Sequence, residues 1–230
     1  MSSALRKEKC VKRTLIETLD LFSELDFWSA ASAFIPALGA LLLFKHTSKT
    51  LRILSVFVLI NPIQEFAALA LAYNGIPNAF VFHLHTVLEF AFVCILFSKI
   101  IQVKWFTYLS ITLCICFTIF CIINALYIEG LEAFNFLPRG IEGILAIIFS
   151  VYFFYRLFTA EESLDLLRYP YFWLFAGWLI YFSGTFFLFI YNDSAGFDII
   201  FPVIHSVLNI LLNLVYTYTL WLGSKKLISR

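Results

Sequence analysis

The chain has 230 residues, 62% of them hydrophobic and 13% charged, and a mean hydropathy of +0.91. Soluble domains carry about 25% charged residues, so the composition excludes a soluble globular protein and marks an integral membrane one. Net charge is +1, and no basic, Gly-rich or aromatic nucleic-acid-binding pattern occurs. The expected partner is the lipid bilayer, and nucleic acid is not expected.

The first 26 residues lack the apolar h-region and small-residue cleavage site of a signal peptide, so the N-terminus is expected to be retained. Residues 4–26 read as an amphipathic helix, with Leu15, Leu19, Phe22 and Leu25 at spacings of three and four. Its first half is basic (Arg6, Lys7, Lys9, Lys12, Arg13) and its second acidic (Glu17, Asp20, Glu24, Asp26). Such a segment lies on a surface rather than crossing the bilayer.

Seven long apolar runs follow, with predicted spans 27–44, 53–73, 79–101, 105–127, 140–158, 170–191 and 199–222. Each is close to the roughly 20 residues a membrane-crossing helix needs. The runs are continuous, where barrel strands would alternate apolar and polar residues over about ten positions. The expected architecture is therefore all-α: a polytopic seven-transmembrane-helix bundle over 27–222, an interfacial segment at 1–26 and a short basic tail at 223–230. Pro36, Pro62 and Pro202 fall inside spans one, two and seven, where each permits a kink.

Orientation is read from Lys and Arg. Lys45, Lys49 and Arg52 follow span one, Lys99 and Lys104 span three, Arg156 and Arg168 span five, and Lys225, Lys226 and Arg230 lie in the tail, ten in all. The opposite loops carry only Arg139, beside Glu129, Glu132, Asp193 and Asp198. This places the C-terminus in the cytoplasm and, with seven spans, the N-terminus outside the cell. The basic residues of the N-terminal segment point the other way, but they lie near the limit of the rule's reach, about 15–20 residues.

Six ionisable side chains interrupt the apolar runs: Glu65, His83, His85, Glu89, Glu142 and His205. Each costs about 2.5–3.5 kcal/mol on insertion scales, so such groups face the bundle interior and mark functional sites. With the orientation above, spans two, three, five and seven bring their polar residues to the same outer half. Asn61 and Glu65, His85 and Glu89, His205 and Asn209, and Asn209 and Asn213 are each i and i+4, and each pair projects from one face of its helix. The candidate ligand-binding set is Glu65, His85, Glu89, Glu142, His205 and Asn209. His83 is about 200° around the helix from His85 and is expected at the headgroup boundary. Arg139 is expected as an interfacial anchor that pairs with Glu142 at i+3.

A carboxylate one turn from an imidazole suits a general base or a metal ligand. His85 and Glu89, with His205 from span seven and Glu65 or Glu142, supply the nitrogen and oxygen donors of a zinc site with an open position for water; its candidate metal ligands are His85, Glu89 and His205. The simpler alternative is that these groups bond one another across helices at about 0.6 kcal/mol each. Cys94, Cys114, Cys116 and Cys121 lie within spans and match no zinc spacing, so they read as small packing residues.

The segments FHLHTVLEFAF (82–92) and IHSVLNILLNLVYTYTLW (204–221) resemble those of small bacterial seven-span membrane proteins of uncharacterised function. That resemblance implies the fold and no activity. Seven spans with His and acidic residues near one membrane face also resemble the membrane-embedded zinc hydrolases typified by alkaline ceramidases. Their last span carries two histidines four apart as metal ligands; here that spacing gives His205 and Asn209, so Glu65 or Glu89 would have to stand in. Rhodopsins attach retinal to a lysine within the last span, and Lys225 and Lys226 come after its end, which argues against retinal.

Two readings follow. The first is a receptor-like, sensor or transport-related protein whose outer-half pocket takes a small molecule, a lipid or protons, signalling through a partner protein because the loops are too short to hold an output domain. The second is a zinc-dependent membrane-embedded hydrolase of a lipid or other amphiphile.

Overall fold

The computed structural model describes residues 24–160, 165–190 and 197–228. Seven helices among them are long and apolar enough to cross a membrane, and no strand occurs among the described residues. They are α1 (Glu24–His46), α2 (Lys49–Tyr73), α3 (Ala79–Ile101), α4 (Lys104–Ile123, prolonged by a π-helical turn over Asn124–Ile128), α5 (Phe136–Thr159), α6 (Pro170–Ile190) and α7 (Phe197–Ile228). The protein is an all-α, seven-helix, multi-pass membrane protein.

Local chemistry sets the ends. Ser48 caps α2, its hydroxyl accepting from the Leu51 N–H at 3.3 Å. At the other end Gly75 adopts φ +68° and lets the Ile76 and Gly75 N–H groups return to the Leu71 and Ala72 carbonyls at 2.9 and 3.0 Å. This paired closure satisfies carbonyls that the helix would otherwise leave open to lipid. Glu129 serves two elements at once, accepting from the Leu137 N–H at the start of α5 (3.0 Å) and from Asn124 Nδ2 in the π-helical turn (2.6 Å).

Helices α1, α2, α3, α5, α6 and α7 form a closed ring in which each packs on the next and α7 returns to α1. Helix α4 lies outside it against α3, and reaches α5 through Phe106 and Trp105 near its own start. Only 17% of its span is buried, the lowest share of the seven. The loops carrying Lys45, Lys49, Arg52, Lys99, Lys104, Arg156 and Arg168 share one end of the ring, here the basic end.

The half of the ring nearer that end is filled by aromatic side chains. Phe97 meets Phe149, Phe175 and Trp178 at centroid distances of 4.8, 4.4 and 5.7 Å. Helices in lipid gain little from the hydrophobic effect and associate through close packing, which these interlocked rings supply. On α1, Ala30, Ala33, Ala37 and Ala40 are buried along one face and let neighbouring backbones come near.

Several expected boundaries move. Helix α1 already includes residues 24–26, so Asp26 belongs to the bundle rather than to the interfacial segment; residues 1–23 of that segment lie outside the described residues. Helix α7 continues to Ile228, so residues 223–228 prolong a helix. Helix α5 begins at Phe136 instead of 140, because Pro138 fits a first turn where its missing N–H costs nothing. Pro62 and Pro202 stand inside continuous helices, whereas α1 breaks into a turn at Ala33, three residues before Pro36.

Candidate functional site

At the end of the ring opposite the basic loops lies a cavity of about 260 Å³ lined from all six ring helices. One wall is a ladder of hydrogen bonds between α7 and α1. Ser206 Oγ donates to Asp26 Oδ1 at 2.5 Å, Asn209 Nδ2 to Ser29 Oγ at 2.9 Å, and Asn213 Nδ2 to Ser32 Oγ at 2.8 Å. Ser32 Oγ donates in turn to the Ser29 carbonyl at 2.6 Å. Steps of three and four residues keep both sets of partners on facing stripes.

The opposite wall joins α3 to α5. Arg139 Nη1 donates to Glu89 Oε2 and, at 3.3 Å, to Glu142 Oε2. His85 Nε2 stands 3.6 Å from the same Glu89 oxygen, one turn away on α3. Arg139 is 7% exposed and Glu142 fully enclosed, so this charge cluster sits inside the bundle. One guanidinium shared by two carboxylates offsets part of the cost of removing them from water, and it leaves Glu142 Oε1 and Arg139 Nε without partners among the described residues.

Asn61, Gln64 and Glu65 line the cavity from α2, and Tyr181 from α6. Its floor is Tyr216, whose hydroxyl accepts from Trp178 Nε1 at 2.8 Å; Trp178 in turn stacks on Phe97 of the aromatic half. The roof is the 129–135 connection between α4 and α5. Phe134 turns inward against Phe82, Phe136 and Phe201, with centroids 5.5, 4.8 and 6.0 Å away. That connection is tied to α3 at two points: His83 Nε2 donates to the Ala133 carbonyl at 3.0 Å, and Asn135 Nδ2 to Thr86 Oγ1 at 2.7 Å.

Of the six residues expected at a site, Glu65, His85, Glu89, His205 and Asn209 line this cavity, while Glu142 lies behind Arg139 and takes no part in the lining. His205 stacks on Phe201 (5.5 Å) and meets the edge of Tyr181 (6.3 Å). Two expectations are corrected. His83, expected to face the headgroups, is 7% exposed and turns its ring inward to hold the roof. Arg139 is not an interfacial anchor but the centre of the α3–α5 charge cluster, because Glu89 supplies a second carboxylate that the i+3 spacing could not reveal.

Among the described residues no group of three His, Cys, Asp or Glu side chains is placed to hold a metal ion, and the Glu89 oxygen that faces His85 is also the one that accepts from Arg139. The four cysteines of the described spans are free thiols.

Asp26, Ser29, Ser32 and Ser206 were missed. Asp26, Ser29 and Ser32 recur at intervals of three and Ser206 follows His205, but serine inside an apolar run carries little weight when charge is the guide, and Asp26 falls in the segment read as interfacial. Four buried polar atoms of lining residues find no hydrogen-bond partner among the described residues: Asn61 Oδ1, Gln64 Nε2, His85 Nδ1 and Arg139 Nε. No protein-family model, curated protein or solved structure matches the chain.

Proposed function

We propose that the protein is a receptor-like protein of the cell membrane that binds a small molecule in this cavity, reached from the side opposite the Lys/Arg-rich loops. In this reading the C-terminus is cytoplasmic and the N-terminus outside, and the response passes to a partner protein. The observation that carries it is the cavity itself, to which four ring helices bring the polar side chains of Asn61, Gln64, Glu65, His85, Glu89, Arg139 and His205. Polar groups gathered in a membrane interior are costly, and a ligand that bonds them recovers part of that cost. Pockets of this kind, concave and with a few convergent polar groups, are the usual form of ligand sites.

A receptor is favoured over a transporter by the floor. Below Tyr216, in this conformation, the packed side chains of Trp178, Phe97, Phe149 and Phe175, each at most 3% exposed, separate the cavity from the basic end.

The test is a small-molecule screen by thermal unfolding of the purified protein in detergent. A ligand present at a hundred times its Kd adds about 2.7 kcal/mol of stability. A true cavity ligand stabilises the wild type and loses its effect on Asn61→Phe, whose ring would fill the site. Compounds that stabilise both proteins equally, or a stabiliser that also crosses liposomes through the protein, would overturn the receptor reading.

A further inference from the structure

We infer that the cavity's ligand is a small protonated amine carrying a hydrogen-bonding oxygen, with its ammonium held between Glu65, Asp26 and Asn61. This rests on the reading of the cavity as a ligand site and adds the chemical class.

Charge decides the sign. The lining holds three carboxylates, Asp26, Glu65 and Glu89, against one cation, Arg139. Arg139 is already shared by Glu89 and Glu142, so it has little to offer an incoming anion. Asp26 and Glu65 have no basic partner among the described residues. Asp26 is held by one neutral donor, the Ser206 hydroxyl at 2.5 Å. Glu65 lies toward the C-terminal end of α2. A carboxylate so placed in a membrane interior calls for a cation.

The remaining walls say what kind of cation. Phe82, Phe134, Tyr181, Phe201 and Tyr216 line the same space, and aromatic faces attract organic ammonium groups. Asn61, one turn from Glu65, lines the same space, and its amide oxygen can accept from an ammonium that still carries N–H groups but not from a quaternary one. Gln64 and Arg139 also line the cavity, and their N–H groups suit an oxygen on the same ligand. The volume, about 260 Å³, sits at the small end of ligand pockets and limits the ligand to a few heavy atoms or one ring.

The experiment is calorimetry and thermal unfolding of the full chain in nanodiscs with ethanolamine, benzylamine, tetramethylammonium, benzyl alcohol and benzoate. Ethanolamine or benzylamine should bind saturably below about 10 mM, a range calorimetry resolves, and tetramethylammonium at least tenfold more weakly. Glu65→Gln should weaken amine binding at least tenfold and Asp26→Asn less, with unfolding temperatures close to wild type. Failure of both amines to bind, or binding that Glu65→Gln and Asp26→Asn leave unchanged, overturns the inference. Saturable binding of benzyl alcohol or benzoate that is lost in Asn61→Phe overturns the amine class while leaving the cavity a ligand site. An Asn61→Phe protein that binds amines as wild type does sinks both.

Discussion

Arg139 on α5 holds the carboxylate of Glu89 on α3, and that contact spans two helices that lie side by side and run in the same direction. Helix α4 is only the return crossing between them. The charge cluster therefore does for α3 and α5 what the serine and asparagine ladder does for α1 and α7, the other pair of like-directed neighbours. Both seams border the cavity.

Removing one partner of a buried ion pair leaves the other uncompensated, at a cost of about 3–5 kcal/mol. Arg139→Met should lower the unfolding temperature sharply, and Arg139→Met combined with Glu89→Gln should cost clearly less than the sum of the two. Thermal unfolding of the four proteins in one detergent closes the cycle. Simple additivity would mean that the two side chains do not interact.

The α1–α7 ladder should behave differently. Interhelical hydrogen bonds in membranes average about 0.6 kcal/mol and reach about 1.7, so Asn213→Ala should be mild. Its effect should largely vanish in a Ser32→Ala background, since both substitutions break the same 2.8 Å bond. An undiminished effect of Asn213→Ala in that background would show that the bond contributes nothing.

His83 fastens the roof through the Ala133 carbonyl. In His83→Leu, amide hydrogen exchange over residues 129–135 should rise while that of the middle of α3 stays protected. Equal exchange in both proteins would indicate that Asn135 and the phenylalanine cluster hold the roof without it.

The proposed orientation has a direct readout. A reporter active only in the cytoplasm should work when fused after Arg230 and fail when fused ahead of Phe27. Activity at both ends would contradict seven crossings, and activity at the N-terminal fusion alone would invert the assignment and place the cavity toward the cytoplasm.

The fold was legible because bilayer thickness dictates span length, and no soluble architecture needs seven apolar runs of that size. The cavity was legible in part for a related reason. His85 with Glu89, and His205 with Asn209, stand out because charge and amide groups are rare against Leu and Phe, and their helical spacing fixes a shared face. What the sequence hid was pairing between helices. Nothing local says that Arg139 meets a residue fifty positions earlier, or that Ser29 and Ser32 answer Asn209 and Asn213 from the far end of the chain. Glu142 shows the opposite failure: its burial is legible from the apolar run around it, but the direction of its side chain depends on Arg139 beside it.

Helix α4 leaves the molecule with unequal freedom to change. Its long side, with Ile111, Ile115, Ile119 and Ile122, is exposed among the described residues. Substitutions there need only remain apolar, and drift across that surface would never reach the cavity. The faces of α1 and α7 that share serine and asparagine have no such latitude, because a change on one helix must be answered on the other. Across related sequences, then, α4 should diverge fastest, and positions 26, 29 and 32 should change only in step with 206, 209 and 213.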